Sequence, residues 1–174
     1  MSKNFKELLP QVKAFVFDVD GVFTDGTVLL HPSGELLRTS NTRDGYAVHV
    51  AIERGFPIAI ISGGNSESVR SRFSVLGVTD IYLGVGDKVK ILEEFRLKYG
   101  LELSELLYMG DDLPDYEVMQ LVGVPTCPND AAPEIKGLAR YISLYNGGSG
   151  CVRDVIEQVL RVKGKWGPSV NSIQ

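Results

Sequence analysis

The chain has 174 residues, 44% of them apolar and 23% charged, with a formal net charge of −4. This length suits one domain over residues 1–174 with a sizeable core. The acidic balance, with no basic run, argues against a nucleic-acid partner. No apolar run is long enough to span a bilayer, and Met1 to Val12 lacks the apolar centre of a secretory signal, so a cytoplasmic location is expected. Cys127 and Cys151 fit no metal-ligand spacing and make no disulfide framework.

Ala14-Phe-Val-Phe17 reads as a buried strand ending abruptly in Asp18-Val-Asp20-Gly21. Residues 27–39 read as two short strands around Pro32-Ser33-Gly34, a hairpin flap. A helix is expected from Asp44, with Ala47, Val48, Ala51 and Ile52 inward, stopping at Gly55. Pro57 to Ile61 is a second buried strand, followed by Ser62-Gly-Gly-Asn and a helix through Leu76. Ile81 to Leu83 is a third strand, and Lys88 opens a helix through Tyr99. Leu106 to Met109 is a fourth, ending in Gly110-Asp111-Asp112. Pro114 to Val122 is helical, Val124 to Thr126 and Tyr141-Ile142 are short strands, and Val152 to Val162 is a last helix. A tail of residues 164–174 follows, with Trp166 as a contact residue. The alternation implies an α/β fold, a three-layer Rossmann-like parallel sheet.

Four chemical groups fall at or just after strand ends: Asp18 with Asp20, Ser62, Lys88, and Asp111 with Asp112. Ligands of open α/β sheets bind at the carboxyl ends of the strands. Carboxylates gathered there repel unless a cation lies between them, and oxygen ligands of this kind suit Mg²⁺. A carboxylate so held is a competent nucleophile towards phosphorus, while a hydroxyl and an ammonium can clamp the transferring phosphoryl oxygens. If the chain stays extended, Asp20 points to the same side as Asp18 and can exchange protons with the leaving oxygen and the attacking water.

On Asp18-x-Asp20-Gly-x-x-Thr24-Asp25, Ser62-Gly63, Lys88 and Gly110-Asp111-Asp112-x-x-Asp115, the chain resembles the haloacid dehalogenase superfamily of phosphohydrolases over nearly its whole length. The resemblance implies Asp18 as nucleophile and Asp20 as acid/base. It implies Mg²⁺ on the Asp18 side chain, the Asp20 backbone carbonyl and Asp111. Asp112 and Asp115 would support that shell, Asp112 by orienting Lys88. The short spacings between motifs leave no room for a cap domain, so the site would be covered by the hairpin and a neighbouring subunit.

Asn41-Thr-Arg43-Asp44-Gly45-Tyr46, Asp111-Asp-Leu-Pro-Asp115 and the late Gly147-Gly148-Ser-Gly150 run are similar to the capless, tetrameric subgroup acting on 3-deoxy-D-manno-octulosonate 8-phosphate in lipopolysaccharide synthesis. That similarity implies a sugar-acid phosphate substrate and a homotetramer. The substrate contacts it implies are Asp20, Asn41, Thr42, Arg43, Asp44, Gly45, His49, Gly63, Gly64, Arg72 and Lys88. Arg43 and Asp44 also read as a salt bridge with a helix cap, and His49 as a packing residue. The chain departs from the subgroup at Gly64, His49 and Ser149, where arginine is frequent. Two rivals remain: a phosphatase of a nine-carbon keto-deoxy sugar acid 9-phosphate on the same scaffold, and a receiver-like phosphorylation switch, which would lack an acid/base at the position of Asp20.

Overall fold

The structure, a computed structural model, describes residues 4–170. A one-turn helix, α1 (Phe5–Leu8), leads into β1 (Ala14–Phe17). The flap follows as β2 (Leu29–Leu30) and β3 (Leu36–Leu37), then α2 (Thr42–Glu53), β4 (Ile58–Ile61), α3 (Glu67–Val75) and β5 (Asp80–Tyr82). The second half runs α4 (Lys88–Tyr99), β6 (Leu106–Met109), α5 (Tyr116–Leu121), β7 (Val124–Cys127), α6 (Pro133–Leu138), β8 (Tyr141–Ile142) and α7 (Cys151–Val162). The six main strands form one sheet in the order β5-β4-β1-β6-β7-β8, all pairs parallel. The flap is a separate antiparallel pair with Leu29 opposite Leu37.

The three layers follow from strand alternation. Phe15, Phe17, Ile58, Ile60, Leu107 and Met109 face one side, where α2 and α7 supply Ala47, Val48, Val155, Ile156 and Val159. Ala14, Val16, Ala59, Ile61, Leu106 and Tyr108 face the other, against Leu92 and Phe95 of α4 and Val118 and Met119 of α5. The central strands are therefore apolar on both faces, as buried parallel strands must be. Both cysteines are buried free thiols. Among the described residues no helix is long and apolar enough to cross a membrane.

Some boundaries differ from expectation. The helix expected from Asp44 begins at Thr42, because the Asn41 side chain accepts from the Arg43 amide and caps it there. The third strand is Asp80–Tyr82, one residue earlier than its apolar run suggests. Neither α1 nor α6 is anticipated by periodicity: four and six residues are too short to display it. The tail lies on its own chain as far as residue 170. Arg54 donates to the carbonyls of Lys165 and Pro168, the Ser169 amide donates to the Tyr46 hydroxyl, and Trp166 lies under the Arg153 guanidinium. The last four residues of the expected tail lie outside the described residues.

Candidate active site

The sheet brings the four sequence motifs into one open cavity of about 400 Å³ at its carboxyl edge. Asp18 and Asp20 enter from the end of β1, Ser62 and its glycines from the end of β4, Lys88 from the start of α4, and Asp111 from the end of β6. Asp18, Asp20, Ser62, Gly63, Gly64, Lys88, Asp111 and Asp112 all line it.

Lys88 ties its floor together. Its Nζ donates to Asp115 Oδ1 at 2.7 Å and lies 3.2 Å from Asp18 Oδ2. Burial works against the ammonium, but Asp18 and Asp115 outweigh it and hold its pKa above the usual lysine value. Burial pushes the Asp18 carboxyl well above its ordinary range, with repulsion from Asp115 adding and Lys88 opposing. Burial also pushes Asp111 up to about 7, with Asp115 and Asp112 adding. Carboxylate oxygens of Asp18, Asp111 and Asp115 lie within 4.8 Å of one another, an arrangement that one ammonium does not neutralise. A hard divalent cation fits this donor set.

The partner that orients Lys88 is Asp115, which corrects the expectation for Asp112. Asp115 is fully buried; its Oδ1 also accepts from the Tyr108 hydroxyl at 2.7 Å, and its Oδ2 accepts from the Asp111 amide at 3.1 Å. Asp112 is exposed, and its side chain accepts from the Leu113 amide at the start of a short 3₁₀ turn. Tyr108 escapes sequence reading because a tyrosine in a buried strand looks like core. Its being the lone hydroxyl among the residues of that strand is the available signal.

Arg38, the single lysine or arginine of the hairpin, also escapes it. From the flap its Nε donates to Asp20 Oδ1 at 2.6 Å and its Nη2 to Asp20 Oδ2 at 3.1 Å. Gly64 makes room for this fork: a Cβ there would stand 3.2 Å from Nη2.

The turn carrying Asp18 and Asp20 is shaped from both sides. The Val19 carbonyl accepts from the amides of Val22, Phe23 and Thr24, and the buried Thr24 hydroxyl accepts from those of Gly21 and Gly26. Gly21 has φ +82°, and a side chain there would overlap Asp111. Beneath it, the Gly148 amide and the Cys151 thiol both donate to the Val22 carbonyl. A Cβ on Gly147 would strike the Gly21 carbonyl, so the late glycine run is the bed on which the turn carrying Asp18 and Asp20 rests.

The other expected substrate contacts lie off this cavity. Asp44 is fully buried, and its Oδ1 accepts from the Arg153 amide at 2.8 Å; it caps α7 rather than facing a ligand. His49 packs between helices, with Nδ1 3.3 Å from the Leu76 carbonyl and Nε2 beside Glu53. Arg72 lies over Gly45, which has no side chain to obstruct it. Asn41 caps α2 and reaches the Gly148 carbonyl, Thr42 is exposed on its first turn, and Arg43 lines a separate groove along α7.

A family model described as haloacid dehalogenase-like hydrolase matches residues 65–156. The 3-deoxy-D-manno-octulosonate 8-phosphate phosphatase KdsC of Escherichia coli is 34% identical over 154 residues, covering 88% of this chain and 82% of that protein. The crystal structure of the phosphatase of the same name from Yersinia pestis superposes with TM-score 0.91 at 32% identity, over 95% of this chain and 89% of the other. That from Moraxella catarrhalis, in complex with magnesium ion, phosphate ion and KDO molecule, gives 0.87 at 31% identity, over 90% of each chain. By both its sequence and its fold, the chain belongs to the haloacid dehalogenase-like hydrolases.

Proposed function

We propose that the chain is a Mg²⁺-dependent phosphomonoesterase that converts 3-deoxy-D-manno-octulosonate 8-phosphate to the free sugar acid and phosphate, in lipopolysaccharide precursor synthesis. The observation that carries this reading is the convergence of Asp18, Asp20, Ser62, Lys88 and Asp111 on one cavity. The relatives' shared activity names the substrate. Asp20 on the same cavity wall weighs against a receiver-like switch, whose phosphoaspartate would have no acid/base so close.

Mg²⁺ would be held by the Asp18 and Asp111 carboxylates and the Asp20 backbone carbonyl, where it would neutralise the clustered charge and polarise a phosphoryl oxygen. Asp115 is not needed as a ligand, since Lys88, Tyr108 and the Asp111 amide already engage its oxygens. Asp18 attacks phosphorus and the phosphorus–oxygen ester bond breaks, while Asp20 gives its proton to the leaving sugar oxygen. Ser62 and Lys88 hold the phosphoryl oxygens as charge shifts across them. Asp20 then takes a proton from water, which attacks the aspartyl-phosphate, releasing phosphate and restoring Asp18. Gly63 and Gly64 leave space for the phosphoryl group at the cavity wall.

The enzyme is a cytoplasmic homotetramer in this reading. Exposed leucines on the flap support it: Leu29 and Leu30 are 66% and 75% exposed on a two-stranded unit that is marginal by itself. Arg43, exposed in the first turn of α2, is available as a contact across such an interface.

The test is Mg²⁺-dependent phosphate release from the eight-carbon 8-phosphate and a nine-carbon keto-deoxy sugar acid 9-phosphate side by side. A higher kcat/KM for the eight-carbon compound is expected. Preference for the nine-carbon compound would reassign the substrate, and turnover of neither would refute it.

A further inference from the structure

We propose that Arg38 is the positioning residue for Asp20: the flap's guanidinium sets the plane of the carboxyl that exchanges protons during turnover, so that catalysis requires the flap in place. This rests on the reading of Asp20 as acid/base.

The geometry gives the two oxygens different duties. Nε holds Oδ1 at 2.6 Å, whereas Nη2 meets Oδ2 at 3.1 Å, so Oδ1 is the anchor and Oδ2, the more loosely held, is the oxygen placed to carry the proton. Among the described residues no other hydrogen bond reaches the Asp20 carboxyl, whose side chain is 38% exposed toward the cavity. An aspartate so open samples several rotamers, and only some bring an oxygen within reach of a leaving group. The guanidinium is itself fixed: the Arg38 side chain is 10% exposed, and its Nη1 donates to the Leu36 carbonyl at 2.7 Å, within the flap. Gly64 completes the arrangement, since any side chain there would crowd Nη2 and stand 3.5 Å from both Oδ2 and the Ser62 hydroxyl. The flap thus contributes an orienting group to chemistry that happens on β1. During the first step the Oδ2 proton passes to the sugar oxygen as its bond to phosphorus breaks; Arg38 neither gives nor takes a proton.

The experiment compares leaving groups. Single-turnover release of the alcohol or phenol is measured with Mg²⁺ for the sugar acid 8-phosphate and for p-nitrophenyl phosphate, whose phenolate departs without a proton. Wild-type protein is compared with Arg38→Ala, Arg38→Gln and Arg38→Lys. Arg38→Ala is expected to slow sugar release about 10- to 100-fold and phenolate release less than about threefold, the difference being the acid contribution it disables. Arg38→Lys, which keeps the charge without the fork, should recover part of the sugar rate. Arg38→Gln keeps the side chain's length and a donor, and repeats the comparison should the alanine variant fold poorly. Equal losses on both substrates, or a rise in KM with unchanged single-turnover rates, would mean that Arg38 only supports the flap and would overturn the proposal. Wild-type protein inert toward both substrates would instead defeat the phosphatase reading itself.

Discussion

Asp111 makes the metal-free protein sensitive to pH in a direction that can be worked out. Its carboxyl is pushed from 3.8 up to about 7, chiefly by burial. Between those values the folded protein keeps a proton that the unfolded chain has lost, so stability falls as pH rises through this window. At about 1.4 kcal/mol per pH unit the gap is worth about 4 kcal/mol. Because the group is partly exposed, solvent screening reduces that to about 2 kcal/mol. Asp18, raised by burial as well, acts in the same direction. For a chain of this length, 2 kcal/mol corresponds to about 4–8 °C in Tm. Mg²⁺ between the carboxylates should cancel the penalty, so its stabilising effect must grow with pH. The assay is thermal unfolding in chelator and in saturating Mg²⁺, at about pH 5.5 and about pH 8. About half of the window from 3.8 to 7 lies between these two pH values, so the Mg²⁺-induced rise in Tm should be larger at the higher pH by about 2–4 °C, and Asp111→Asn should remove most of the difference. A metal effect of equal size at both pH values would refute the reasoning.

Asp18→Asn should abolish phosphate release while leaving the fold intact by circular dichroism, since Lys88 keeps Asp115 as partner; substantial residual turnover would exclude Asp18 as nucleophile. Tyr108→Phe deletes the hydroxyl that donates to Asp115 and should cost about 1–3 kcal/mol in denaturant unfolding, together with a several-fold loss of kcat as Asp115 holds Lys88 less firmly. Leu30→Asp places a charge on the exposed flap and should shift the protein to smaller assemblies in sedimentation; a monomeric wild type would remove the basis for the tetramer.

The motifs were legible because each depends on a local contrast, an apolar strand stopping at a polar group, that a short stretch of sequence contains. Asp18, Ser62 and Asp111 are found this way, and the parallel sheet follows from the alternation of such stretches with helices. What was not legible depends on pairs far apart in the chain. Asp44 looks like a cap for its own helix, yet it serves the amide of Arg153. Arg38 looks like a solvated hairpin residue until the flap folds back over Asp20. Asp112 and Asp115 are both acids just after β6, and only the 3₁₀ turn starting at Leu113 decides which of them faces Lys88. His49 sits on a helix that the sequence identifies, but its ring is used against the carbonyl of Leu76, at the end of α3.

The contact between the glycine run at 147–148 and the turn after β1 has a consequence for biosynthesis. The turn carrying Asp18 leaves the ribosome long before the glycine run that supports it. Closing that long separation is a slow step compared with forming local helices. A nascent chain ending before α7 can therefore pair its central strands and still be chemically inert. Activity should therefore arrive abruptly, with the docking of α7.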